Sequence, residues 1–189
     1  MVSRLLALFV LAGSAQAAEL EGVRLEDRVH VDGQALELNG IALRTRMFFK
    51  VYVAGLYLPV KVTSAARAIE GAGAKRIVLV MMRDATAQQF CESIEAGLVA
   101  NNRPEDLARV RAQTESLFAK IRGIGEAKLG TRVVLDYVPS LKATTLAVDG
   151  AVQGAAMPGS DFFRALLRIW LGERPSQPDL KRLLLGVHP

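Results

Sequence analysis

The chain has 189 residues, 51% of them hydrophobic, with 24 Lys and Arg against 19 Asp and Glu. That composition suits a globular domain with a real core and excludes a low-complexity or disordered chain. The net charge of +5 comes from scattered cations, which is no nucleic-acid footprint, and a single cysteine excludes a disulfide framework.

Residues 1–17 have the layout of a secretory signal peptide. Arg4 supplies the positive start, residues 5–12 are an unbroken apolar run, and Ala15-Gln16-Ala17 is a small-x-small cleavage signature. The expectation is cleavage after Ala17 and an exported, periplasmic mature chain, 18–189. Losing Arg4 lowers the charge by one. No cysteine follows the apolar run, so a lipidated terminus is not supported, and no later stretch is long and apolar enough for a transmembrane helix. About 170 residues remain, which suits one domain.

In chain order, 23–31 and 35–38 read as strands joined by Asp32-Gly33, a type I′ hairpin signal. Residues 40–58 form a long β-prone run, broken near Thr45, that carries three cations and two phenols. In a regular strand Arg44, Arg46, Lys50 and Tyr52 share one face, and Phe49, Val51, Val53 and Tyr57 take the other. This pattern fits either a sheet with one solvated face or an apolar pocket with a basic mouth. Residues 64–70 predict a short helix and 76–82 a buried strand. Thr86 and Gln89 form a capping box opening a helix with Phe90, Ile94 and Leu98 on its apolar side. Asn102 with Pro104 opens another helix, whose stripe runs from Leu107 through Val110, Thr114, Leu117 and Phe118 to Ile121.

Gly123, Gly125 and Gly130 lead back to strands at 131–138 and 143–148, and Asp149-Gly150 signals a second hairpin into 151–156. Two helices close the chain, one over 160–171 and one starting at Ser176 and stopping at Gly186. Hairpins with clustered helices predict an α+β fold, an antiparallel sheet covered on one face by helices.

Most enzyme chemistries find no support. His30 and His188 lack ligand partners at short spacing, so a metal site is not expected. A Gly-x-Ser-x-Gly elbow is missing. Gly-x-Gly at 123–125 follows a helix and precedes a strand, the wrong order for a dinucleotide fingerprint. Cys91 and Trp170 read as core residues. No cofactor is expected.

Leu38-Asn39-Gly40, the segment Lys50-Val51-Tyr52-Val53-Ala54-Gly55-Leu56-Tyr57-Leu58, Gln88-Gln89-Phe90 and Trp170-Leu171-Gly172 together resemble the chalcone isomerase superfamily, particularly its bacterial chalcone-isomerase-like branch. The resemblance implies an open-faced β-sandwich, a large antiparallel sheet covered by a layer of helices with an apolar cleft between. It also divides into two functions. Plant chalcone isomerases close a flavanone ring with an arginine, a threonine, a tyrosine and an asparagine around the cleft. Related plant plastid proteins bind fatty acids, holding the carboxylate with an arginine and a tyrosine.

Here the arginine matches Arg44, with Arg46 competing, the threonine falls at Tyr52, the tyrosine at Phe90 and the asparagine near Gly97. Phe90 has no hydroxyl and Gly97 no amide, which removes contacts the isomerase needs. An arginine beside a phenol is complete for carboxylate binding. The reading is therefore a non-catalytic binder of a fatty acid or similar amphipathic carboxylate. Arg44 and Tyr52 hold the head, Arg46 and Lys50 add positive field, and Phe90 and Ile94 contact the tail. The alternatives are an intramolecular lyase acting on a chalcone-like ketone through Arg44 and Tyr52, and an envelope protein that binds a partner instead of a small ligand.

Overall fold

Backbone chirality sets the hairpins that organise the sheet. In the computed structural model, which describes residues 17–187, Asp32 and Gly33 have φ of 55° and 73°, and Asp149 and Gly150 have 48° and 83°. Both pairs are the left-handed doublets that a type I′ turn requires. A third doublet, Glu21-Gly22 (53° and 77°), joins strands β1 (Ala17–Leu20) and β2 (Val23–Glu26). The first 16 residues, and so all of the expected signal segment but Ala17, lie outside the described residues.

The chain continues through β3 (Arg28–Val31), β4 (Gln34–Arg46) and β5 (Phe49–Leu58), then helix α1 (Ala65–Glu70), β6 (Lys75–Met81) and the short β7 (Ala85–Thr86). Helix α2 (Ala87–Asn101) starts at Thr86, where the expected reciprocal capping box with Gln89 is formed. The helix expected after Asn102 is two helices, α3 (Pro104–Arg109) and α4 (Arg111–Ile124), because the backbone leaves helical geometry at Val110. Then come β8 (Glu126–Ala127), β9 (Arg132–Val138), β10 (Ala143–Val148), β11 (Ala151–Val152) and β12 (Met157–Pro158). The strand expected over 151–156 is thus reduced to Ala151–Val152, and a second dipeptide, Met157–Pro158, pairs with the same outer edge of β10 beyond it. Helices α5 (Ser160–Leu171) and α6 (Pro178–Leu184) end the fold.

The main sheet runs β11-β10-β9-β6-β5-β4-β3 with antiparallel neighbours throughout, an open α+β sheet. One face, including Ala54, Leu56, Leu79 and Leu135, packs on α2, α4, α5 and α6. The periodicity of α5 is decisive there: Phe162, Phe163, Leu166, Ile169 and Trp170 are all buried. Part of the other face is covered too. Leu25 of the β1–β2 hairpin is 1% exposed and packs with Tyr57, Val78 and Val80. Gly55 makes room for it, since a Cβ there would meet Leu25 Cδ1 at 2.4 Å. Tyr57 donates its hydroxyl proton to the Glu26 carbonyl at 2.9 Å, so this second phenol is a staple for the hairpin.

Asn39 and Gly40 attach α6 to the sheet. Asn39 donates to the carbonyls of Val62 and Leu184 at 3.0 and 2.7 Å and accepts from Val62 N–H at 2.7 Å. A Cβ on Gly40 would lie 2.1 Å from the Leu183 carbonyl oxygen, so only glycine allows this approach. The Leu38-Asn39-Gly40 motif therefore has a structural role. Among the described residues no helix is long and apolar enough to cross a membrane.

Candidate functional site

The β4–β5 hairpin carries a polar cluster at the start of α6. Arg44 and Tyr52 are directly opposite across the two strands, which brings their side chains to one face. Between Arg44 and Thr45 the register shifts by a bulge, and Thr45 pairs with Lys50. The bulge breaks the expected alternation. Lys50 leaves the Arg44–Tyr52 face and pairs with Glu21 of the β1–β2 turn at 2.6 Å. Arg46 is exposed beside the turn, so of the two competing arginines only Arg44 is partly buried in the cluster. The chain reverses at Met47 and Phe48, beyond the bulge at Thr45.

The Arg44 guanidinium donates to its neighbour's carbonyl, Thr45 O, and to Gln177 Oε1 at 3.3 Å. The same Gln177 oxygen accepts from the Thr45 backbone N–H at 3.0 Å. Gln177, not Ser176, is the N-cap of α6, and its side chain reaches the hairpin instead of capping the helix. Among the described residues Arg44 forms no ion pair with a carboxylate. A half-buried guanidinium satisfied only by neutral oxygens keeps its charge uncompensated, which favours an anion.

The Tyr52 hydroxyl accepts a hydrogen bond from Trp170 Nε1 at 2.9 Å. Burial pushes the phenol above its usual range, against the opposing influence of the Trp170 hydrogen bond, the Arg44 charge and the nearby Ser176 hydroxyl. Tyr52 stays protonated at neutral pH, and because its oxygen is the acceptor for Trp170, its own proton is free to be donated. Ser176 Oγ is buried with no hydrogen-bond partner of good geometry, a further polar atom in the same cluster.

Phe90 and Ile94 stand elsewhere. They line a narrow apolar cavity of about 30 Å³ together with Leu117 and Ile121 of α4 and Val133, Leu135 and Leu146 of the sheet. The expected open cleft between the layers is thus filled by the side chains of α2 and α4; ligand pockets usually reach about 300–1,000 Å³. From Arg44 on β4 to this cavity over β9 is three strand spacings, about 14 Å. Gly97, where the resemblance places an asparagine, packs against α5: a Cβ would meet Ile169 Cγ2 at 2.6 Å. Cys91 is buried, and burial pushes its thiol up, away from reactivity.

A larger, open depression of about 510 Å³ lies beside α1, with Leu58, Val62, Arg67 and Lys75 in its wall. Lys75 Nζ donates to the carbonyls of Ile69 and Gly71, and burial pushes it down to about 8, helped by the Arg164 charge and opposed by Glu70.

The sequence profile of the chalcone isomerase-like family matches residues 17–186. The chain belongs to this family. Among solved structures it is similar to a fatty-acid binding protein of Arabidopsis thaliana, with a TM-score of 0.70 over 91% of this chain and 97% of that one, at 14% identity. At that identity the likeness shows the chalcone isomerase-like fold. No curated protein sequence matches the chain.

Sequence reasoning reached Arg44 and Tyr52 but missed Gln177, Ser176 and the indole of Trp170 as parts of the same cluster. Arg44 and Gln177 are 133 positions apart. Nothing in the local pattern around Gln177 marks it, and Trp170 falls on an apolar stripe that reads as core.

Proposed function

We propose that this chalcone isomerase-like protein is a non-catalytic binder of a fatty acid or similar amphipathic carboxylate, acting after export to the periplasm. The observation that carries the reading is Arg44: a half-buried guanidinium without an acidic partner among the described residues, directly across from a protonated phenol. A carboxylate there takes N–H bonds from Arg44 and an O–H bond from Tyr52, replacing the neutral oxygens that now satisfy the guanidinium. The tail runs beneath α5 and α2 toward Phe90 and Ile94. Because the cavity there is only about 30 Å³, binding displaces side chains of α2 and α4 and opens the space the tail needs. The Arabidopsis neighbour is a fatty-acid binding protein, which supports this ligand class.

The intramolecular lyase reading is less well supported by the same geometry. Phe90 offers no hydroxyl, and the space an asparagine needs at position 97 is taken by Ile169. Native mass spectrometry after mild purification tests the binder: a co-purifying lipid acid is expected. Protein that is always empty, and whose melting temperature fatty acids do not raise, overturns it.

A further inference from the structure

The tip of the β4–β5 hairpin exposes three consecutive large apolar side chains. Met47 is 84% exposed, Phe48 96% and Phe49 58%, whereas the other large exposed apolar residues among those described are scattered singly. Met47 has φ of 55°, in the turn that joins β4 to β5, and Phe49 is the first residue of β5. Cations surround them. Arg46 precedes the tip, Lys50 follows it, and the Arg83 guanidinium carbon stands 4.8 Å from the centre of the Phe49 ring. Arg83 is held there because the neighbouring Met82 N–H bonds to the Val51 carbonyl at 2.9 Å.

The acidic groups close by are already engaged. Glu21 neutralises Lys50. Asp84, next to Arg83 in the chain, accepts from Leu129 N–H and pairs with Lys128. Among the described residues Arg46 and Arg83 form no ion pair, so the tip is apolar at its end and positive around its base.

We propose that this hairpin tip docks on an anionic lipid surface, with Met47 and Phe48 among the acyl chains and Arg46 and Arg83 at the headgroups. Three side chains are far too small a patch for a stable protein interface, which needs about 1,000 Å² or more. They are enough for a shallow, reversible wedge about 5–10 Å deep, where apolar burial and attraction to anionic headgroups act together. Exposed Phe in this number is otherwise a liability for a water-facing turn. The inference rests on the tip alone and stands whether or not Arg44 binds a carboxylate.

The test places a reporter at the tip of the full chain. F48W is mixed with vesicles of equal parts phosphatidylcholine and phosphatidylglycerol, with bromine on the acyl chains. Indole emission from position 48 is expected to shift to the blue and to be quenched. Trp170, on the buried side of α5, is expected to stay unquenched in the wild-type chain. Adding Arg46→Glu or Arg83→Glu to F48W is expected to weaken vesicle binding about fivefold or more for each change. F48W emission unaffected by brominated vesicles overturns the proposal. So does a concentration-dependent dimer that Phe48→Ser abolishes while vesicles remain unbound, because the tip is then a protein contact.

Discussion

Trp170 Nε1 donates to the Tyr52 hydroxyl at 2.9 Å, linking the end of α5 to the centre of β5 beside Arg44. With its oxygen accepting from the indole, the phenol keeps one proton to donate in the cluster that holds Arg44 and Ser176. A residue that reads as core packing thereby sets the polarity of the candidate site.

Removing the acceptor has a predictable cost. Tyr52→Phe strands a buried indole N–H, so stability falls by about 1–3 kcal/mol. Trp170→Phe shrinks a buried side chain in either background, but it should cost less in the Tyr52→Phe background than in wild type, because there it also removes the stranded N–H. Urea unfolding of the two single variants and the double variant should give a coupling of about 0.5–1.5 kcal/mol. Additive effects contradict the bond.

Gly97 separates the two activities the family resemblance suggests. Its missing Cβ is where Ile169 Cγ2 sits. Gly97→Asn is therefore expected to overpack the α2–α5 contact and cost about 1–3 kcal/mol without creating an isomerase. Phe90→Tyr adds a hydroxyl to an apolar cavity and should leave chalcone cyclisation close to its spontaneous rate. Cyclisation well above that rate in the wild-type chain, lost in Arg44→Ala, contradicts the non-catalytic reading.

Lys75 gives the fold a pH signature. Its folded-state value, about 8, lies below the ordinary 10.5, so between these values the unfolded chain binds more protons than the folded one. Stability then rises with pH across that window, and the burial penalty is fully present below about 8. Unfolding of wild type and Lys75→Met at about pH 7 and about pH 10 should show wild type gaining relative to the variant at the higher pH. A difference that does not change with pH contradicts the burial account.

The architecture was readable because its signals are local. Asp32-Gly33 and Asp149-Gly150 need only their own backbone preferences to form turns, and the Thr86–Gln89 box lies within one helical turn. Alternation along 40–58 was readable except around the bulge between Arg44 and Thr45: Tyr52 shares the face of Arg44 and Tyr57 takes the other, as expected. The bulge there depends on the β5 register, and it sends Lys50 to Glu21 on the opposite side. The Gln177 contact and the α6 seat on Gly40 are long-range, and chain periodicity does not encode them. The filled cleft was hidden for a related reason: an apolar stripe looks the same whether it lines a cavity or fills it.

Export is tested separately from the site. The mature chain should begin at Ala18 and be recovered from the periplasm, read by amino-terminal sequencing of fractionated cells. Uncleaved protein confined to the cytosol contradicts that expectation.

Isothermal titration of a long-chain fatty acid into wild type and Arg44→Ala tests the central claim most directly. Wild type is expected to bind, and Arg44→Ala to lose about 2–5 kcal/mol of affinity, as when one partner of an enclosed charge pair is removed. The variant should keep its melting temperature within a few degrees, since Arg44 has no acidic partner among the described residues to strand. Unchanged affinity in Arg44→Ala, with a destabilised fold, would make Arg44 a structural residue and contradict the account.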